Sequence, residues 1–343
     1  MKNDNLAIIS NEKTQQKSNK FLCDNIDLKS IPEGLSQYFD IELFLRKSKI
    51  NRESHEINLK KIFLSSGILP FLYKIWRRSK INKKYLLISL SPYTFFASLL
   101  LFILRKKIYL YIRSDGYQEY RCYSKIFGPF IYHIMFSVAS KISKLIVCRS
   151  HLLKGKNGNV VSPSQLNEKW LSNRKPANLN KVEILYVGRI KIEKGVFSLL
   201  NILKKIKNNI KVKIVNSEKH YDQKLESNNV EIIHFKNKDD SIISIYDSHN
   251  IFILPSFTEA HPQVLDESLA RLRPVIIFPE ISHVKRGREG VFEAERNHIS
   301  LERVIRIIME NYSEIQNKMR KNILPTKKSF LKEITEIIKN EKN

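Results

Sequence analysis

Cysteine and metal-binding patterns are scarce in this sequence. Its three cysteines, Cys23, Cys122 and Cys148, match neither a disulfide framework nor a metal-ligand spacing. Its nine histidines include no His-x3-His pair, and no Asp-x-Asp occurs in the 343 residues. This cysteine usage fits a reducing compartment, and we expect neither a structural disulfide nor a bound metal ion.

Long apolar stretches are also few. The N-terminus has only residues 6–9, so we expect no signal peptide. Residues 86–104 are uncharged and about long enough to span a bilayer. Ser91 and Pro92 break the stretch, however, and favour a buried strand followed by a capped helix. We therefore predict a soluble segment and a cytoplasmic protein, at the inner face of the cell membrane if its apolar helix lies on the surface of the bilayer.

Acidic residues are few relative to basic ones. The chain has 34 Asp and Glu against 60 Lys and Arg, a formal charge of +26. The excess is uneven, because residues 51–172 contain 21 basic and only 5 acidic residues. Such a surface attracts phosphates, nucleic acid or anionic lipid. The joint abundance of Lys, Asn and Ile is also typical of an AT-rich genome, which explains the total better than the asymmetry.

The length suits two domains rather than one core. Strand and helix patterns alternate through both halves, as in parallel α/β sheets. Residues 173–180 are mostly Asn, Lys, Pro and Ala, with little to bury. We predict an N-terminal domain over residues 1–172, a second domain over 173–325, and a final helix within 326–343 that packs back on the first half.

Several local predictions can be checked directly against a structure. In the first half we expect a strand at residues 6–10, a polar loop at 11–20 and a helical pattern over 57–76. In the second half we expect strands at residues 182–187, 211–215, 230–234, 251–254 and 275–278. Helices are predicted at residues 196–206, 221–226, 240–248, 301–309 and 329–338.

Two glutamates mark one strand–loop–helix unit of the second half. The strand at residues 251–254 ends at Pro255, and a helix begins near Pro262. Glu259 lies in the loop and Glu267 eight positions later, in the helix. Because ligands of parallel sheets bind at the carboxyl ends of strands, beside helix N-termini, we expect both carboxylates to border one pocket. By spacing alone they are also compatible with solvated surface acids.

A second loop places two cations between two glycines. Gly188, Arg189, Lys194 and Gly195 follow the strand at residues 182–187. The glycines allow the backbone to approach a ligand closely. Arginine offers a bidentate fork to phosphate oxygens and lysine a mobile point charge, so the pair could neutralise a diphosphate.

Together, Gly-Arg-x4-Lys-Gly and Glu-x7-Glu resemble the signature of the retaining GT-B glycosyltransferases of family 4, the glycosyl transferases group 1. The resemblance covers residues 182–278. It implies an α/β fold of the GT-B type, in which two Rossmann-like domains face a central cleft. It further implies a metal-independent, retaining enzyme that moves a sugar from a nucleotide-diphosphate sugar to a glycan or lipid-linked acceptor.

The resemblance also implies roles for single residues, by position in the motifs. Glu259 takes the catalytic position beside the transferred sugar. Arg189 and Lys194 would bind the diphosphate, and Glu267 would accept hydrogen bonds from the ribose. The donor-binding residues are then Gly188, Arg189, Lys194, Pro262, Gln263, Val264 and Glu267.

The chain departs from the family pattern at four places. Ala260 stands where the family usually has glycine, and residues 216–218 replace a Gly-x-Gly. The first loop, residues 10–13, is not glycine-rich. Arg113 or Asp115 stands where the family commonly has a histidine, and we assign both to the acceptor side.

Two other functions stay open at this level. The chain could be a non-catalytic basic protein for anionic lipid or nucleic acid, although it has no nucleic-acid-binding motif. It could also be a GT-B relative that binds a donor without transferring it. As partners we expect a nucleotide sugar, a glycan or lipid-linked acceptor and an anionic membrane surface, but not nucleic acid.

Overall fold

The computed structural model describes residues 4–50, 55–206, 210–216, 229–234, 239–259 and 261–340. The chain divides into two compact α/β units, one formed by residues 1–163 and 328–343 and the other by residues 164–327. The predicted boundary after residue 172 therefore falls inside the second unit. The predicted helix at residues 221–226 lies outside the described residues.

The first unit is built on a nine-stranded sheet. Its strands are β1 (Asn5–Lys17), β2 (Lys20–Cys23), β3 (Asp40–Lys47), β4 (His55–Glu56), β5 (Ile62–Ser65), β6 (Lys84–Ile88), β7 (Lys107–Ile112), β8 (Lys144–Val147) and β9 (Gly158–Val160). The parallel order is β5-β3-β1-β6-β7-β8-β9. Its helices are α1 (Ile26–Leu35), α2 (Ile68–Arg78), α3 (Pro92–Ile103), α4 (Gly116–Tyr123) and α5 (Phe127–Ile142).

The predicted polar loop at residues 11–20 is wrong. β1 continues to Lys17 and pairs antiparallel with β2, with Gln16 opposite Phe21. A register shift between Ile9 and Lys13 separates this extension from the parallel core of the sheet. These polar residues are therefore extended because they pair with neighbouring strands, and among residues 11–17 of β1 only Thr14 is buried.

The predicted helical pattern over residues 57–76 divides into β5 and α2. Gly67, in an extended conformation, precedes α2 and ends the apolar run of β5. A short apolar run reads equally as strand or helix until its neighbours are known, and here β5 pairs with β3.

The predicted division of residues 86–104 into a buried strand and a capped helix is confirmed. β6 ends at Ile88, and Ser91 caps α3 by exchanging hydrogen bonds with Thr94. Among the described residues, no helix combines the length and apolar character needed to cross a membrane.

The second unit is a parallel sheet of six strands in the order β12-β11-β10-β13-β14-β15. They are β10 (Glu183–Val187), β11 (Lys211–Asn216), β12 (Val230–His234), β13 (Ile251–Leu254), β14 (Val275–Ile277) and β15 (Val291–Glu293). The helices are α6 (Glu168–Leu171), α7 (Val196–Leu203), α8 (Asp239–Asp247), α9 (Gln263–Ala270), α10 (His298–Glu310) and α11 (Tyr312–Met319). The strand order reverses between β10 and β13, and ligands of open α/β sheets bind at such a point.

The last helix, α12 (Lys327–Lys339), completes the first unit. Phe330, Ile334 and Ile338 are buried in the same apolar cluster as Leu6. The Tyr109 hydroxyl donates a hydrogen bond to the carbonyl of Ile338 at 3.2 Å.

Two buried arginines fasten the start of the second unit. Arg271, only 1% exposed, donates to both oxygens of Asp247 at 2.9 and 2.8 Å. It also donates to four backbone carbonyls between residues 169 and 173. Arg273 donates to the carbonyls of Asp247 and Lys175. These hydrogen bonds fix residues 169–175, a segment that has few apolar side chains to hold it in place.

Replacing Arg271 with methionine would remove both hydrogen bonds to the buried Asp247 carboxylate and leave only Arg273 Nη2 near it, at 3.8 Å. We expect the free energy of unfolding of the second unit to fall by about 3–5 kcal/mol. The measurement is urea denaturation followed by Trp170 fluorescence in a Trp76→Phe background, since the chain has only two tryptophans. As a control, Arg306→Met on the exposed face of α10 should change stability by about 0.5 kcal/mol or less. Equal losses in the two variants would contradict the assigned role of Arg271.

Candidate functional site

Two loops emerge side by side where the strand order of the second sheet reverses. β10 is followed by residues 188–195, which include a short 3-10 turn at Ile192–Lys194. β13 is followed by residues 255–262 and then by α9. Because β10 and β13 are parallel neighbours, their carboxyl ends lie at the same edge.

Gly195 brings the two loops into contact. Its φ of +67° lies in the left-handed region, and a Cβ placed there would sit 1.9 Å from the carbonyl oxygen of Pro255. Next to it, the backbone N–H of Phe257 donates to the carbonyl of Glu193 at 3.0 Å. A residue without a side chain is therefore required for the loops to approach this closely.

The contact joins one predicted site residue from each loop. Lys194 Nζ lies 2.6 Å from Glu259 Oε1, and the Ser256 hydroxyl donates to the same oxygen at 2.7 Å. The side chains of Lys194 and Glu259 are 22% and 12% exposed. His283 Nε2 donates to the backbone carbonyl of Glu259 at 2.8 Å. The structure thus holds the cation and the carboxylate as an ion pair that is largely shielded from water.

Arg189 is placed differently from Lys194. Its side chain is exposed and makes no hydrogen bond or ion pair with the described part of the chain. Its carbonyl accepts a hydrogen bond from the Tyr186 hydroxyl at 2.9 Å. That hydroxyl would lie 2.5 Å from a Cβ at residue 188, which explains Gly188. Of the two cations predicted for the loop, Arg189 is therefore available to a ligand and Lys194 is engaged by Glu259.

Glu267 is held by a buried tyrosine. The Tyr246 hydroxyl donates to Glu267 Oε2 at 2.8 Å, and the Tyr246 ring stacks on Phe252. Tyr246 is completely buried. Burial and then the charge of Glu267 raise the pKa of Tyr246 well above its usual value, so the hydroxyl stays protonated as a donor. The sequence predicted Glu267 but not Tyr246, whose role depends on how α8 packs against α9.

Pro262, Gln263 and Val264 form the N-terminal end of α9. Pro262 is the residue before the helix, and no side chain caps its first turn. Backbone N–H groups at such an end suit an anionic ligand. Ala260, which departs from the family pattern, lies outside the described residues, as do Ser217 and Glu218.

A polar cluster that the sequence did not indicate lies beside this helix end. Asp266, only 2% exposed, pairs with Arg288. His261 Nε2 lies 3.3 Å from Asp266 Oδ2, at an angle outside hydrogen-bond geometry. His261 Nδ1 lies 3.3 Å from Nη2 of Arg286. The arginines follow the Pro279–Val284 turn in sequence, so only the fold brings them here.

A large cavity of the second unit is lined by Phe257 and Arg296 but not by Lys194 or Glu259. It has a volume of about 680 Å³ and is lined by α7 together with Phe257, Arg296 and His298. Arg296 is sandwiched between the rings of Phe257 and Phe278, at 4.1 and 4.3 Å. It donates twice to Glu280, and these bonds lower the pKa of that carboxyl. The two motifs meet at the Lys194–Glu259 pair and not in this cavity, so the ion pair marks the candidate site.

The acceptor-side residues lie in the first unit. Arg113 donates to Asp27 at 2.6 Å and lines a cavity of about 420 Å³ at the carboxyl ends of β6 and β7. Asp115 accepts from the N–H of Tyr117, which caps α4, and pairs with Lys154 at 3.1 Å. Of the two, Arg113 is at a cavity and Asp115 serves the local fold. Within the described ranges, no three His, Cys, Asp or Glu side chains come together as metal ligands.

Comparisons with known proteins bear on the family and on the fold. Residues 168–324 match the family described as glycosyl transferases group 1, which confirms the resemblance to that group over the second unit. Curated protein sequences give no match to the chain.

Solved structures match nearly the whole chain. Sucrose-phosphate synthase (tll1590) from Thermosynechococcus elongatus is 15% identical with a TM-score of 0.69, over 97% of this chain and 98% of that one. Anabaena Alr3699/HepE in complex with UDP is 12% identical with a TM-score of 0.66, over 97% and 95%. WaaG, a glycosyltransferase involved in lipopolysaccharide biosynthesis, is 12% identical with a TM-score of 0.66, over 97% and 100%. At these identities the likeness establishes the fold, and the predicted GT-B class is confirmed.

Changing Gly195 to alanine should separate the two loops. The added Cβ meets the Pro255 carbonyl, and the left-handed conformation alone costs about 1–3 kcal/mol. Gly287→Ala is the control, because Gly287 has a φ of +65° but open space around the Cβ position. In urea denaturation of the second unit, Gly195→Ala should lose clearly more stability than Gly287→Ala. Equal losses would show that backbone strain, and not the close approach, explains this glycine.

Proposed function

We propose that this GT-B chain, whose second unit matches the glycosyl transferases group 1, transfers a sugar from a nucleotide-diphosphate sugar to a glycan or lipid-linked acceptor. We further propose that transfer retains the anomeric configuration and that protein cations neutralise the diphosphate without a metal ion. The observation that carries the proposal is the Lys194–Glu259 pair, which joins the two motifs where the strand order reverses.

The chemistry explains why cations are needed at this place. In sugar transfer the bond between the anomeric carbon and the diphosphate oxygen breaks, and its electron pair leaves with the diphosphate. The acceptor hydroxyl forms the new bond on the face that the diphosphate leaves, and its proton passes to the departing diphosphate oxygen. Fixed positive groups stabilise the growing negative charge most strongly in the transition state. Arg189, Lys194 and the uncapped N-terminal end of α9 are the groups we assign to this task.

Donor binding would then replace Glu259 with the diphosphate as the ionic partner of Lys194. In the structure Lys194 pairs with Glu259. A diphosphate carries more charge than a carboxylate and would attract the ammonium group away from it. Glu259 would be released beside the sugar carbon, where a carboxylate steadies developing positive charge. Donor binding would therefore also free the Glu259 carboxylate to act at the sugar carbon.

Glu267 would bind the ribose. A carboxylate accepts hydrogen bonds from two neighbouring hydroxyls, and Tyr246 fixes one of its oxygens. The structures of Anabaena Alr3699/HepE contain UDP, UDP with glucose, and UDP-glucose. UDP-glucose is therefore the first donor to test on this chain.

Three substitutions separate binding from transfer. Arg189→Ala should weaken UDP binding roughly tenfold to a hundredfold, because a charge-assisted bond contributes about 1.5–3 kcal/mol. Glu267→Gln should also weaken UDP binding. Glu259→Gln should bind UDP at least as tightly as the native chain, since Lys194 no longer has to leave a carboxylate, while sugar transfer falls. Calorimetric titration with UDP and hydrolysis of a panel of nucleotide sugars are the measurements.

Exposed residues on α10 provide the controls. Glu310→Gln and Arg303→Ala should leave UDP affinity and transfer unchanged. If both site glutamate variants kept native affinity and native turnover, the glycosyltransferase assignment of the motif would be wrong. Tight UDP binding with no transfer to any acceptor would instead support an inactive GT-B relative.

A second surface supports an acceptor at a membrane. Helices α2, α3 and α5 of the first unit contact one another in series and expose large apolar side chains. Leu69 and Trp76 are 77% and 51% exposed, Phe102 is 56% and Phe130 is 62%. Exposed cations lie within these helices or shortly after them in sequence, at Arg77, Lys80, Lys83, Arg105, Lys107 and Lys141. We propose that this apolar and basic face lies on anionic lipid, with the protein on the cytoplasmic side.

Binding to vesicles tests this face. The chain should sediment with phosphatidylglycerol vesicles at low salt, less so at high salt, and little with phosphatidylcholine. Changing Leu69, Trp76, Phe102 and Phe130 to serine should abolish sedimentation. The control is Ile299→Ser with Ile323→Ser, two residues that are 69% and 97% exposed in the second unit. Failure to sediment at low salt would refute the membrane proposal, and equally strong binding to duplex DNA would favour a nucleic-acid partner.

A further inference from the structure

A basic turn that is distant from Arg189 in sequence borders the candidate site. Lys285, Arg286, Gly287 and Arg288 follow the Pro279–Val284 turn. Arg286 and Gly287 have φ values of +49° and +65°, so two successive residues are left-handed. An arginine rarely adopts this conformation, and its surroundings have to hold it there.

One cation of this turn, Arg288, is already paired. It pairs with the buried Asp266 and also donates to the carbonyl of Val284. Its charge is therefore neutralised inside the protein. Arg288 and Lys194 are thus two cations of this region whose charges are neutralised by carboxylates of the protein, Asp266 and Glu259.

Arg286 has a different neighbour. Its guanidinium meets no carboxylate among the described residues, and its contact is His261 Nδ1 at 3.3 Å. Arginine can only donate, so His261 Nδ1 is the acceptor in this contact. The other ring nitrogen, Nε2, lies 3.3 Å from Asp266 Oδ2. The imidazole, whose side chain is only 6% exposed, thus orients the arginine without cancelling its charge.

A charged and oriented guanidinium with free donors is suited to a planar acid group. Arg286 is exposed, so such a group can reach it. His261 lies two residues after Glu259, whose carbonyl is held by His283. The arginine is therefore anchored next to the loop that we assign to the transferred sugar. We assign binding of the diphosphate itself to Arg189 and Lys194.

We infer that Arg286 binds a carboxylate or phosphate group of the substrate that is separate from the donor diphosphate, and so selects acidic substrates. The inference rests on the proposed function, because it uses the position of Glu259 beside the sugar. The acid group has two sources, an acidic sugar on the donor or a phosphate on the acceptor. Both present the same chemistry to the guanidinium.

Two titrations distinguish these sources. In the first, UDP-glucose and UDP-glucuronate are titrated into the native chain, Arg286→Gln and Lys285→Gln. Lys285 is the matched control, because it is an exposed neighbour on the same turn whose side chain makes no hydrogen bond or ion pair with the described residues. In the second, inorganic phosphate is titrated into the same proteins after they have been saturated with UDP.

If the acid is on the donor, the native chain should prefer UDP-glucuronate over UDP-glucose roughly tenfold, the size of one charge-assisted bond. Arg286→Gln should lose this preference, and Lys285→Gln should keep it. If the acid is on the acceptor, the two UDP-sugars should bind alike. Phosphate should then bind the native chain and Lys285→Gln roughly tenfold more tightly than Arg286→Gln.

Identical behaviour of the native chain and Arg286→Gln in both titrations would overturn the inference. Thermal unfolding should be unchanged in Arg286→Gln, so a loss of binding cannot be attributed to misfolding. If UDP itself does not bind and Arg189→Ala changes nothing, the proposed function fails. The phosphate titration can still be run without UDP, and it then decides the role of Arg286 separately.

Discussion

The approach of Gly195 to the carbonyl of Pro255 is the constraint on which the candidate site depends. The loops after β10 and β13 leave neighbouring strands, yet only this approach brings their side chains within bonding distance. It places Lys194 against Glu259 and allows the backbone bond between Phe257 and Glu193. The left-handed backbone of Gly195, which has no side chain, therefore allows Lys194 and Glu259 to form an ion pair.

The buried arginines support the other half of the site. Arg271 and Arg273 hold Asp247 through its carboxylate and its carbonyl, and Arg273 also donates to the carbonyl of Tyr246 at 3.3 Å. The end of α8 is therefore fixed to the end of α9. The Tyr246 hydroxyl then reaches Glu267, one helical turn before Arg271. Groups that never contact a ligand thus set the position of a carboxylate that we assign to binding one.

Strong local signals made much of the second unit predictable. The strands at residues 230–234 and 251–254 were found as predicted, because the first is rich in β-branched residues and the second is a compact apolar run. The hairpin extension of β1 was not, since a polar strand outside the core has no hydrophobic periodicity. In the site, local motifs indicated Lys194 and Glu259. Residues such as Tyr246 and Arg286 act through contacts between distant elements, which no spacing in the sequence records.

The placement of α12 has a consequence for the order of synthesis. Phe330, Ile334 and Ile338 fill the core of the first unit, although they are made after the whole of the second. A ribosome therefore releases residues 164–327, a continuous unit, before the first unit has its last core residues. Until then Leu6 and its neighbours lack one wall of apolar contacts. The half of the protein that is translated first is thus the half that can finish folding last.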